Sequence, residues 1–147
     1  MHILMCNDDG ILADGLRHLA SYLSQYYRIT VVAPANEQSA KSHALTTEVP
    51  LKLDACNGED ENPRFYALTG TPSDCMKFGL SYLLTDDMPD LVISGINHGF
   101  NLGSDVLYSG TVSAAMESGF YGIPGLALSV ERYSVERGDE MHPFIHE

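Results

Sequence analysis

The sequence predicts an α/β fold, a three-layer and mostly parallel sheet with a small inserted β-pair. Three observations carry this. Short apolar or β-branched runs alternate with segments of helical spacing along residues 1–130. The run at 90–94 (DLVIS) is of the apolar kind buried on both faces of a parallel sheet. The chain's 147 residues are the size of one domain, enough to bury a core without disulfides or metals.

Each element is set by its residues. Residues 2–6 are a short apolar run with strand character. Over 14–25, Leu16, Leu19, Ala20 and Leu23 recur at helical spacing, and Asp14 is placed to cap the start. Residues 28–33 (RITVVA) are β-branched and predict a second strand, ended by Pro34. The polar, small residues of 35–48 predict a loop. Segments 49–53 and 65–68 predict the inserted pair, joined by an exposed hydrophilic tip at 57–63. Pro72 at a first-turn position, with Thr71 as cap, starts a helix that runs to about Leu84. After the strand at 90–94, Gly95, Gly99, Gly103 and Gly110 punctuate a loop over 95–110. A helix over 111–120 and a last strand over 125–130 complete the domain, 1–130. Residues 131–147 are a polar tail, read as the start of a truncated C-terminal region and expected to be poorly ordered.

Eight basic and 20 acidic side chains give a net charge of −12. That argues against general binding to DNA, RNA or anionic membranes, which need a basic face. A small phosphate ester remains open, because it needs only a local cation or a few N–H donors. No stretch approaches the roughly 20 apolar residues of a membrane span. No basic segment precedes Ile3-Leu4-Met5, so no signal peptide is expected and the expected location is the cytoplasm. Cys6, Cys56 and Cys75 are an odd count without C-x-x-C spacing, read as free, buried thiols in a reducing compartment.

Ligands of such sheets bind beyond the carboxyl ends of the strands. The first strand is followed by Asn7-Asp8-Asp9-Gly10, and the second by a loop carrying Asn36, Ser39, Ser42 and His43. The strand at 90–94 is followed by Gly95-Ile96-Asn97-His98-Gly99-Phe100-Asn101, leading to Ser109-Gly110-Thr111 at a helix start. Oxygen-bearing residues from three strands therefore converge on one edge. Asp8-Asp9 admits two readings. One is an Asx turn in which Asp9-Gly10 caps the next segment. The other is a site where a hard divalent cation relieves carboxylate repulsion, with neutral oxygens from Asn97 and Ser39. Ser109-Gly110-Thr111 is either an ordinary helix cap or a phosphate cradle at the positive end of a helix dipole. The 95–103 loop matches neither the dinucleotide fingerprint nor a Walker motif. No G-x-S-x-G elbow supports a triad with His43 or His98. His142 and His146 are four apart but lack a third metal ligand.

These same residues resemble the SurE family, metal-dependent 5′/3′-nucleotidases also called stationary-phase survival proteins. The matching segments are ILMCNDDGILADG at 3–15, VVAP at 31–34 followed by Ser39, LT at 45–46 and GTPSDC at 70–75. PDLVISGINHGFNLG at 89–103, YSGTVSAAME at 108–117 and GIPGLALS at 122–129 complete the pattern. The resemblance implies a Rossmann-like domain and one divalent cation, Mg²⁺ or Mn²⁺, held by Asp8, Asp9, Ser39 and Asn97. It implies Asp8, Asp9 and Asn97 as catalytic residues, and a phosphate site lined by Asn101, Ser109, Gly110 and Thr111. The implied reaction is hydrolysis of nucleoside 5′- and 3′-monophosphates, in a homodimer or tetramer. Attack by water and attack by Asp8 to give an aspartyl-phosphate both stand. A metal- or nucleotide-binding fragment without turnover is the alternative. A phospho-acceptor signalling domain ranks last, because Gly95 follows DLVIS and Glu131 follows GLALSV where that chemistry wants Asp and Lys. Two departures from the family pattern stand out. Ala40 follows Ser39 where glycine is usual, and the chain stops at Glu147 where family members run considerably longer.

Overall fold

The computed structural model describes residues 1–39, 41–58 and 60–131. Ala40 and residues 132–147 lie outside them, and with the latter the expectation of a poorly ordered tail and the histidines His142 and His146. Strand β1 (His2–Cys6) is buried along its whole length. Its apolar residues point alternately to two faces, and each face carries its own core. Leu4 and Cys6 belong to one core with Val32, Leu68, Met76, Leu80 and Val92. Ile3 and Met5 belong to the other with Leu16, Ala20, Ile29, Val31 and Ile93. This is the period-2 burial of a central strand covered on both sides.

The sheet is completed by β2 (Arg28–Pro34), β3 (Leu53–Ala55), β4 (Arg64–Leu68), β5 (Leu91–His98) and β6 (Gly125–Val130). The spatial order is β3-β4-β2-β1-β5-β6. All neighbours are parallel except β3 and β4. Helix α1 (Asp14–Leu23) buries Leu16 and Ala20 in one core. Helices α2 (Pro72–Phe78) and α3 (Gly110–Gly119) bury Cys75, Met76 and Ala114 in the other. The three-layer α/β architecture is therefore the one the sequence predicts.

Local details differ. Asp14 does not cap α1; Ala13 occupies the N-cap without a side-chain bond, and Asp14 is the first helical residue. Its carboxylate still lies at the favourable end of the dipole. Thr71 caps α2 as expected, in a capping box with Asp74. The helix then passes into one π turn at Gly79–Leu83. The first strand of the β-pair begins at Leu53, not at residue 49. Pro50 has no N–H to give a ladder, and pairing starts at Leu53 opposite Leu68. The pair extends the main sheet, since β4 lies parallel to β2.

β5 runs four residues past Ser94. Ser94 pairs with Ala127 and Asn97 with Ser129, so two residues of β5 oppose the single Leu128. Gly95 opens this bulge at φ +123°, where a Cβ would overlap the Leu128 carbonyl oxygen. Cys6 and Cys75 are free and buried, and burial pushes the Cys75 thiol well up. Cys56 is free but exposed, against the sequence expectation, because it falls just after the edge strand β3.

Candidate metal and phosphate site

The strand order reverses at β1: β2 and β4 lie to one side of it, β5 and β6 to the other. The crevice between the carboxyl ends of β1 and β5 is thus the topological switch point, where open α/β sheets bind ligands. Asn7-Asp8-Asp9-Gly10 leaves β1 at this point. The buried Asn7 closes the turn itself. Its Oδ1 accepts from the Gly10 N–H at 3.2 Å and its Nδ2 donates to the Gly10 carbonyl at 3.0 Å. The Asx turn is therefore made by Asn7, not by Asp9-Gly10, and neither aspartate is spent on it.

Asp8 is buried, and its Oδ1 accepts from the Thr111 hydroxyl at 2.7 Å. Gly110 lies directly over it; a Cβ there would come within 2.9 Å of the Asp8 Cβ. The Asp8 backbone carbonyl accepts from the Gln38 N–H at 2.8 Å, which draws the loop after β2 to the same place. Asp9 is half-buried, and its Oδ2 is a buried oxygen without a hydrogen-bond donor. Burial raises the Asp9 pKa most, and the charges of Asp8 and Glu37 add to it. The His98 charge and backbone N–H pull the other way, so the end of β5 lies against Asp9.

Helix α3 delivers its N-terminus to Asp8. Ser109 is the N-cap, and its hydroxyl accepts from the Val112 N–H at 3.2 Å. The N–H groups of Gly110 and Thr111 are the remaining unpaired donors of this first turn among the described residues. The loop after β2 is fastened to the same helix and to the turn that precedes it. His43 Nε2 lies 2.7 Å from Oε2 of the buried Glu117, and the Ser42 hydroxyl donates to the Leu107 carbonyl at 2.8 Å.

The structure thus brings Asp8, Asp9, Gly110 and Thr111 together. Asn97 follows the bulge in β5; its Nδ2 donates to the Gly99 carbonyl at 2.7 Å, which leaves Oδ1 for a ligand. Ser39 is exposed and its hydroxyl donates to Glu37 at 2.6 Å, so in this arrangement it serves Glu37. The Asn101 amide donates to Ser129 at 3.0 Å and ties its loop to β6. The turn-closing role of Asn7 and the Glu117 anchor for His43 were missed from sequence. Asn7 carried a signal, an Asx residue three before a glycine. Glu117 carried none, because its partner is 74 positions away.

An orphaned carboxylate oxygen beside a second buried carboxylate fits a hard cation, which takes one or two carboxylates and completes its shell with neutral oxygens. Among the described residues, no group of three or more His, Cys, Asp or Glu is placed to hold a metal. The candidate donors Asp8, Asp9, Asn97 and Ser39 would all offer oxygen, unlike a zinc cluster.

The family profile described as "Survival protein SurE" matches residues 3–146. The chain belongs to the SurE family. A Thermoanaerobacter protein called 5′-nucleotidase SurE is 54% identical over 129 residues, 88% of this chain and 50% of that protein. Its namesake in Caldanaerobacter subterraneus is 49% identical over 97% of this chain and 56% of its own length. That of Vibrio vulnificus is 50% identical over 88% and 49%. The crystal structure of SurE from Aquifex aeolicus superposes with a TM-score of 0.76 at 43% identity, covering 88% of this chain and 50% of that one. The chain spans about half the length of the curated SurE relatives it matches. Among the described residues no helix is long and apolar enough to cross a membrane.

Proposed function

We propose that the chain carries the metal and phosphate half-sites of a divalent-metal-dependent phosphomonoesterase acting on nucleoside monophosphates. The observation that carries this is the buried, unpartnered Asp9 Oδ2 next in the chain to Asp8, which itself lies under the N-terminus of α3. The relatives called 5′-nucleotidase SurE support the substrate class.

Asp8, Asp9, Asn97 and Ser39 would hold one Mg²⁺ or Mn²⁺. Such a cation supplies Lewis-acid polarisation of a phosphoryl oxygen and makes water more acidic. The rest is done by the chain. The Thr111 hydroxyl fixes the position of one Asp8 oxygen. The N–H groups of Gly110 and Thr111, at the positive end of the α3 dipole, offer donors to phosphate oxygens. Gly110 lets the phosphate and Asp8 share this space, since a side chain would fill it. Ser39 joins the set by exchanging Glu37 for the ligand. Asn101 reaches phosphate by releasing Ser129. Water is the nucleophile in this reading.

The test is phosphate release from 5′- and 3′-nucleoside monophosphates, in Mg²⁺ or Mn²⁺ and in EDTA, for the wild type and Asp9→Asn. Release that needs metal and is lost in the variant is expected. Metal and nucleotide binding without release would instead identify the chain as a binding fragment.

A further inference from the structure

Two buried carboxylates take no part in the proposed metal and phosphate site: Asp74 of α2 and Glu117 of α3. A carboxylate stays buried only where partners offset the loss of water. Both find such partners in the loop after β2. Asp74 accepts from the Thr46 N–H at 3.0 Å and from the Thr46 hydroxyl at 2.7 Å, besides capping its own helix. Oε2 of Glu117 lies 2.7 Å from His43 Nε2, and His43 is the one hydrogen-bonding partner of the Glu117 side chain among the described residues. Asp74 divides its bonds between a helix cap and the loop, whereas Glu117 serves the loop alone.

This contact joins two parts of the site. On α3, Gly110, Ala114 and Glu117 are buried at helical spacing. One stripe therefore carries both the glycine over Asp8 and the carboxylate that grips the loop. On the loop, Ser39 lies between two fixed points. Upstream, the Gln38 N–H is bonded to the Asp8 carbonyl. Downstream, Ser42 is held at φ +53°, a left-handed backbone that a non-glycine residue keeps only where its surroundings impose it. Its hydroxyl bond to the Leu107 carbonyl and the His43–Glu117 contact beside it supply that constraint. The His43 ring also lies 6.3 Å from that of Phe120, within the range of aromatic pairs. Among the described residues the Ser39 hydroxyl bonds only to Glu37. Its place is therefore set by these anchors and not by a bond of its own to Asp8 or Asp9.

We propose that His43 and Glu117 are positioning residues, latching the loop to α3 so that Ser39 is held ready for the cation that Asp8 and Asp9 would take. The inference rests on the metal-dependent reading of the site. Neither residue touches the ligand. Their effect passes through Ser39, so it should vanish once the Ser39 hydroxyl is removed.

Calorimetric titration of Mn²⁺ into wild type, Ser39→Ala, His43→Ala and the double variant tests this. The His43 side chain is 32% exposed, so its truncation opens no core. Affinity is expected to fall about tenfold in each single variant, the scale of one hydrogen bond to a charged group. The double variant should bind no more weakly than Ser39→Ala alone, because residues that act through one another are not additive. Losses that multiply, or an unchanged affinity in His43→Ala, overturn the proposal. His43→Gln, whose amide can reach the place of Nε2, should recover most of the affinity. A glutamine variant as weak as the alanine one overturns the contact as the cause. A wild type without a Mn²⁺ site overturns the metal reading instead, and amide hydrogen exchange then decides the latch without metal. Exchange of the Gln38 N–H about tenfold faster in His43→Ala, with the β1 amides unchanged, is the expected sign of a local opening. Equal Gln38 rates in the two chains overturn the latch.

Discussion

Asp8 is held by a hydroxyl that lies 103 positions further along the chain. Both partners were visible as candidates in the sequence, one as a carboxylate after a strand and one as part of a helix start. That they bond each other was not, because spacing along a chain says nothing of contacts across a sheet edge. The same limit hid Glu117 behind His43. The bond makes a prediction at this scale. Thr111→Val leaves a buried carboxylate oxygen short of a donor, a loss of about 1.5–3 kcal/mol for a hydrogen bond to a charged group. Mn²⁺ affinity should fall about tenfold, and calorimetric titration of the variant reads it. An unchanged affinity would mean that Thr111 does not set the Asp8 geometry.

At the scale of elements, the strands and helices read from periodicity are present, and the differences fall where a backbone device intervenes. β5 outruns its apolar residues because Gly95 admits a bulge, and pairing resumes at Asn97. A glycine inside a strand pattern is the signal for a bulge, but the sequence pattern groups Gly95 with the later glycines of the loop. The consequence is functional, since the bulge sets where Asn97 and His98 project from the carboxyl end. Gly95→Ala would combine a positive φ with a clash against the Leu128 carbonyl. A destabilisation of at least about 2 kcal/mol is expected, seen as a lower urea midpoint with an unchanged slope. A wild-type midpoint would show that the bulge relaxes without cost.

At the scale of the whole molecule, the opposite end of the sheet is built for stability. His2 is buried at the start of β1, with Nδ1 3.1 Å from the Asp87 carbonyl and Nε2 3.0 Å from the Thr30 hydroxyl. Burial first, then the Arg28 charge, hold its pKa below the ordinary 6.5, with Asp87 opposing. The folded chain therefore takes up its proton later than the unfolded chain as pH falls. The neutral ring's contribution is complete above about pH 6.5 and is lost as pH drops through the lowered folded value. Urea midpoints measured from pH 7.5 to 5.5 should fall less steeply for His2→Gln than for wild type. Parallel slopes would rule out His2 as the cause.

These scales meet at one place in the molecule. A 3.6-residue and a 2-residue periodicity set the layers, the layers set the strand order, and the order reverses where Asp8 and Asp9 leave β1. Family motifs named those residues, and the proposed cation site rests on the orphaned Asp9 oxygen and the α3 N-terminus above Asp8. The most direct measurement is calorimetric titration of Mn²⁺ into wild type and Asp9→Asn, both shown to be folded. One site per chain that disappears in the variant is the predicted result. Equal binding in both chains, or none in the folded wild type, would contradict the account.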